Sequence, residues 1–300
     1  MGIFDFFKKK DKNNRVEKKD EPLIKPKTEE TKVNTTSNEI PQVVEVVSDD
    51  QGSHGDNFGG LLGFNYLNSD NGNQFINEMI ALASIQGPIL ENPIVKINEV
   101  SFENSTNVKI RTITKNGNVS NGAILSAYPY IKTTYSLPFE TKKIIEWSHI
   151  ANMEAEIQGG GRDTFGLSFF ATDYAINKRK YKSEKNLNIK ISAVSLVLDK
   201  SDLTEINGTP VSPDFSTYIP NKDMSRPTYF DFIGVLNNYK ECKINNENYG
   251  YLINVKLINQ EEDPNFFTID MFVNKENMRF TDLTKGMKIA GAFWLQGEIA

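Results

Sequence analysis

The sequence predicts a mainly β protein with a minor α+β part, and three observations lead there. Runs of β-branched and aromatic residues recur after Pro93 with turn residues between them, only one long stretch keeps helical spacing, and the first fifty residues are too polar to join a core. With 300 residues and 38% hydrophobic content, the chain has material for one large or two ordinary domains.

Residues 1–50 hold 10 basic and 11 acidic residues, three prolines and, as aromatics, only Phe4, Phe6 and Phe7. Such a stretch cannot bury enough apolar surface to offset its chain entropy, so residues 1–60 are expected to form a disordered charged tail and linker. Lys8, Lys9 and Lys10 open a basic run directly after Ile3, Phe4, Phe6 and Phe7. Apolar side chains beside a polybasic run suit a peripheral contact with an anionic membrane or with a partner. Phe6 stands where the myristoylation pattern asks for Ser or Thr, so lipidation at Gly2 is not supported. Val43, Val44, Val46 and Val47 form a patch that could add to a sheet edge and is otherwise expected to stay loose. The glycine-rich run from Ser53 to Gly60 lacks the Gly-Lys-Ser/Thr ending of a phosphate loop.

The one long helix is expected over residues 73–86, where Phe75, Ile76, Met79, Ile80 and Ala83 share a face and Gly87-Pro88 stops the run. Strands are expected at Ile94 to Ser101, Val108 to Thr114, Ala123 to Tyr130, Lys142 to Trp147, Met153 to Gln158, Phe165 to Thr172 and Leu187 to Leu198. They continue at Tyr229 to Tyr239, Tyr249 to Ile258, Phe266 to Val273 and Met287 to Ile299, and read as mostly antiparallel.

Two parts of this series resemble each other. Phe165 to Asp173, a polar stretch and Leu187 to Val194 run in the same order as Phe266 to Asn274, a polar stretch and Gly286 to Phe293. This divides the chain into a helix plus first β module at 61–205, a Pro-containing connector at 206–227 and a second β module at 228–300. A leading strand, a hairpin, a short helix or turn and a closing strand are close to the plan of a small five-stranded barrel of the OB type, here in tandem; one continuous β-sandwich or unrelated β-rich domains are the alternatives.

Chemistry is sparse. A single cysteine, Cys242, excludes an intramolecular disulfide framework and multi-cysteine metal sites, and His54 and His149 are the only histidines. His149, near Glu146, Glu154 and Glu156, reads as a polar residue at a strand end, and Cys242 as an ordinary free thiol. Glu261-Glu262-Asp263 reads as a solvated turn. Gly159-Gly160-Gly161-Arg162 reads as a hairpin loop in which Arg162 could meet an anion. The densest basic group of the body, Lys178, Arg179, Lys180 and Lys182 with Tyr181 between them, has the composition of a single-stranded nucleic-acid surface. The net charge of −5 gives no global field for polyanions. Trp294 and Phe293 should face opposite sides of the last strand, one of them free to line an interface.

The expected function is that of a non-enzymatic adaptor binding a protein or polymer through its β modules, with no cofactor or metal. A single-stranded nucleic-acid binder and a peripheral membrane protein held by its start are the alternatives. No run reaches the roughly 18 to 20 apolar residues of a spanning helix and no secretory signal is read, so a cytoplasmic address, membrane-peripheral in the third reading, is expected.

Overall fold

The computed structural model describes residues 43–48, 54–102, 105–116, 124–148, 152–161, 165–246, 248–258, 260, 263 and 266–300. Strand β1 (Val43–Val47) precedes helices α1 (Phe58–Leu62), α2 (Phe64–Leu67) and α3 (Asp70–Ile85). Strands β2 (Pro88–Glu91), β3 (Val95–Phe102), β4 (Ser105–Lys115) and β5 (Ile124–Ile131) follow. Next come β6 (Ser136–Trp147), β7 (Ala155–Gly161), β8 (Phe165–Ala171), helix α4 (Tyr174–Ser183) and β9 (Asn186–Lys200). Short strands β10 (Glu205–Ile206), β11 (Thr209–Pro210) and β12 (Thr217–Pro220) lead to β13 (Tyr229–Lys243), β14 (Tyr249–Ile258) and β15 (Phe267–Asn274). A 3-10 turn (Lys275–Asn277) and β16 (Lys288–Ile299) complete the order.

Each strand expected after Pro93 forms, most within a few residues of the expected ends; β6 begins at Ser136, six residues before the expected Lys142, and β13 runs on from the expected Tyr239 to Lys243. Helix α3 starts earlier than its apolar spacing indicates because Ser69 caps it, its hydroxyl accepting from the Gly72 amide at 3.1 Å. The single long helix is joined by α1 and α2, which correct the expectation of one helix, and by α4, which forms where the barrel plan allows a short helix or turn. Helix α4 is the polar stretch after β8, and its Tyr174, Ala175 and Tyr181 reach the interior. The glycines of Gly159-Gly160-Gly161 lie within β7 and not in a hairpin loop, pairing with β6 on one side and β8 on the other. A side chain at Gly159 would meet the Phe139 ring, its Cβ 2.6 Å from Cζ, so glycine there lets that ring cross the strand.

The ten-stranded sheet runs β1-β6-β7-β8-β16-β9-β15-β14-β13-β12, with two added pairings, β6 to β9 and β16 to β13. These additions close two rings, β6-β7-β8-β16-β9 and β13-β14-β15-β9-β16. Each ring takes four strands from one half of the chain and one from the other, and β9 and β16 belong to both. The scheme has two-fold symmetry: β8 runs parallel to β16, β15 runs parallel to β9, and β9 and β16 are antiparallel to one another. Asp173 and Asn274, matched in the sequence comparison, both stand at the N-terminus of the helix or turn that follows the third strand of their half. The pairings are mostly antiparallel, as expected; a closed ring of five strands cannot alternate in direction all the way round, so each ring holds one parallel pair, β8 with β16 and β15 with β9.

Period-two alternation on the shared strands separates two cores. Ile189, Ile191 and Ala193 of β9, with Phe293 and Leu295 of β16, point into the rings among Phe139, Phe169, Phe230 and Phe267. Val194 and Trp294 point outward to a second core with α1, α3 and the four-stranded sheet β2-β3-β4-β5. Polar side chains of that outward face stitch the sheets together. Gln296 Oε1 accepts from the Ile131 amide at 3.0 Å, Ser192 Oγ donates to the Ile131 carbonyl at 2.7 Å, and Glu298 pairs with Arg111 at 2.7 Å. Arg111 also pairs with Glu99 and lies over the Tyr130 ring.

Part of the expected tail is structured. Val43–Val47 adds to β6 as a parallel strand instead of staying loose. All five residues of α1 are buried. Its last carbonyls are bonded by side-chain amides: Asn277 to Gly59 O at 3.1 Å, Asn274 to Leu61 O at 2.9 Å and Asn248 to Leu62 O. Gly60 sits so close to β9 that an added Cβ would lie 2.5 Å from Val194 Cγ1. Residues 43–60 were too polar to predict as core, and these asparagines supply the partners that their own composition lacks. Residues 1–42 lie outside the described residues.

Because both rings need β9 and β16, the two halves are expected to unfold together. Calorimetry should show one transition with equal calorimetric and van't Hoff enthalpies, and Trp294→Ala should lower the stability of that whole transition by roughly 3–5 kcal/mol. Two separable transitions would contradict this.

Candidate functional site

Two groups of charged side chains stand out, one at the surface and one inside. The surface group is on α4. Glu146, on β6, is buried beneath this helix and accepts from Lys182 Nζ at 2.9 Å, Lys178 Nζ at 3.1 Å and the Tyr174 hydroxyl. Burial alone would push its carboxyl up, but the bonds from Lys182, Tyr174 and Lys178 outweigh it and hold the group below its ordinary value. Lys178 and Lys182 therefore stabilise the fold, while Arg179 and Lys180 are exposed. Tyr181 is fully buried, its hydroxyl donating to Asp173 at 2.7 Å. The aromatic partner that the sequence offered for base stacking is thus an interior residue. Trp294 is interior too, packed on Phe170 at 5.4 Å between ring centroids, so it lines no exposed interface in the described structure. Arg162 and the start-proximal residues Ile3, Phe4, Phe6, Phe7, Lys8, Lys9 and Lys10 lie outside the described residues.

Beside α4 runs an open groove of about 550 Å³. Met153 and Ile176 line its apolar floor, together with Ile94, which is 58% exposed. Lys178, Arg179 and Lys182 form its rim. Ile94 reaches this place because Asn92 turns the chain between β2 and β3, its side chain accepting from the Ile94 and Val95 amides at 2.8 and 2.9 Å. The Asn92 amide group also donates to the Ala175 carbonyl at 3.2 Å, fixing the turn against α4.

The interior group centres on Glu154 and Glu156, both 1% exposed. Glu154 accepts from the His54 amide at 2.8 Å and from the Ser126 hydroxyl, and its Oε2 lies 3.5 Å from His54 Nδ1. The His54 ring stacks on Trp147 with centroids 3.8 Å apart, and Arg226 donates to the His54 carbonyl at 2.6 Å. Glu156 Oε1 accepts from Thr228 at 2.8 Å, while its Oε2 is buried without a hydrogen-bond partner. Burial pushes the Glu156 carboxyl up to about 7; Thr228, Arg226 and His54 oppose the rise and Glu154 adds to it. Asp56, exposed beside the same arginine, is raised as well by partial desolvation of its carboxyl. The sequence placed Glu154 and Glu156 near His149, which lies outside the described residues; the structure brings them His54, from a hundred residues upstream. The alternation of Glu154 and Glu156 on one strand face was the only available signal.

Other candidates have structural roles. Cys242 is buried, and burial pushes its thiol up. Asp263 closes a turn by accepting at its carbonyl from the Phe266 amide at 3.0 Å, and Glu261 and Glu262 lie outside the described residues. Among the described residues no group of three or more His, Cys, Asp or Glu side chains is arranged to hold a metal ion, and no helix is long and apolar enough to cross a membrane. Compared with protein-family models, with curated proteins and with solved structures, the chain finds no match.

The raised Glu156 carboxyl makes stability depend on pH with a definite sign. Between its ordinary value of 4.5 and about 7, the folded protein keeps a proton that the unfolded chain has lost, so stability falls as pH rises through that window and levels off above it. The full effect is on the order of 3 kcal/mol. Glu156→Gln should flatten the urea-unfolding free energy across this window and be the more stable protein above pH 7; an unchanged slope would remove Glu156 as its source.

Proposed function

We propose that this protein is a non-enzymatic binding module that takes an acidic protein segment with a large apolar side chain into the groove beside α4. The observation that carries this reading is the combination of a basic rim with an apolar floor that folding leaves open to solvent. An apolar anchor would cover Ile94, Met153 and Ile176, and carboxylates on the same segment would meet Lys178, Arg179 and Lys182. The groove is positioned by rigid parts: α4 is clamped to β6 through Glu146, and the Ile94 turn is tied to α4 through Asn92. A site built this way needs little reordering to bind. The nucleic-acid reading is weaker because Tyr181 is interior, leaving the basic helix without the ring that stacking on a base needs at that point.

Screened against a displayed peptide library, the full-length protein should enrich segments combining Asp or Glu with Leu, Phe or another large apolar residue. The double variant Ile94→Asp, Arg179→Glu should bind them about tenfold more weakly or worse, with unchanged thermal unfolding because both side chains are exposed. No enrichment, equal binding by the variant, or salt-labile binding of a single-stranded oligonucleotide as the only ligand would refute the proposal.

A further inference from the structure

The first strand of the sheet is an apolar strand with little to cover it. On the edge of β6 opposite β7, β9 pairs with Ser136–Glu140, and β1 takes the part that β9 leaves, from Val43 beside Lys143 to Val47 beside Trp147. β1 is the terminal strand of the sheet, so its outer backbone groups face no further strand among the described residues. Its valines are exposed on both faces: Val43 is 58%, Val44 40% and Val46 53% exposed. Glu45 pairs with Lys143 of the neighbouring strand, an ion pair in which the valine side chains take no part. An exposed, β-branched edge of this kind is a template for another strand.

We propose that β1 is the seam of a two-fold dimer, pairing antiparallel with β1 of a second copy of this chain. The strand is self-complementary: Val43-Val44-Glu45-Val46-Val47 reads the same in both directions. An antiparallel pair centred on Glu45 therefore sets Val43 against Val47 and Val44 against Val46 of the other copy, so that valine meets valine at all four flanking positions of an isologous contact. The main-chain groups at the edge gain partners and the exposed valines gain cover. The two Glu45 carboxylates face one another, each beside its own Lys143, a charge row of mixed sign with a like-charged centre. One short strand covers less than a standard interface, so the dimer is weak and forms at micromolar concentrations or above.

Sedimentation velocity of the full chain over a concentration series tests this. The wild-type protein should shift from monomer to dimer, and Val44→Lys, Val46→Lys should remain monomeric with unchanged circular dichroism and thermal unfolding. Glu45→Gln, which removes the facing charges, should tighten the dimer several-fold. A wild-type protein that stays monomeric throughout the series would leave the edge to a strand of some other protein and overturn the proposal, as would dimerisation of the lysine variant. A Glu45→Gln protein that dimerises no better than wild type would overturn the pairing centred on Glu45.

Discussion

The antiparallel ladder between β9 and β16, from Ile189 beside Ile299 to Lys200 beside Ile289, carries the rest of the fold. Both strands are buried on two faces and paired on both edges, so each supplies hydrogen bonds to two rings and side chains to two cores. A register shift between Ala292 and Phe293 lets the pair twist without breaking the alternation that sends Phe293 inward and Trp294 outward. Neither half of the chain has this ladder alone. β9 comes from one and β16 from the other, which couples the folding of residues a hundred positions apart.

Around this centre the structure buries many polar side chains and bonds most of them. Arg111 is satisfied by Glu99, Glu298 and the face of Tyr130, Asp173 by Tyr181 and the Ile299 amide, and the α1 carbonyls by three asparagines. These groups do more than fill space. A buried polar group accepts few geometries, so each network selects one arrangement of the sheets where apolar packing alone would tolerate several. The second oxygen of Glu156 departs from that pattern, and burial without a partner is why the group holds its proton so far above an ordinary carboxyl.

The surface of α4 shows how a single cluster of charges can be divided between fold and function. Lys178 and Lys182 neutralise Glu146 beneath them, and the same side chains border the groove that Arg179 and Ile94 complete. β1 lies close by, since Val46 is the register partner of Glu146. The exposed valine strand and the basic groove are therefore neighbouring parts of one side of the molecule, joined through one buried carboxylate.

Much of this was legible in the chain itself, because strand formation depends on local alternation and turn chemistry. The eleven β segments after Pro93, the α3 face and the matching order of strands in the two halves all rest on near-neighbour pattern. The opposite faces of Phe293 and Trp294 follow from the same period of two. What the sequence by itself could not decide is which strands meet and which polar residues are buried. Tyr181 and Trp294 look alike as surface or core residues until packing places them, and the polar run from His54 to Gly60, Asp56 excepted, becomes interior only because Glu154, Arg226 and three asparagines wait for it elsewhere in the chain. Such contacts are decided by tertiary structure alone: their free energy comes from groups far apart in sequence, and no local pattern records that they will meet.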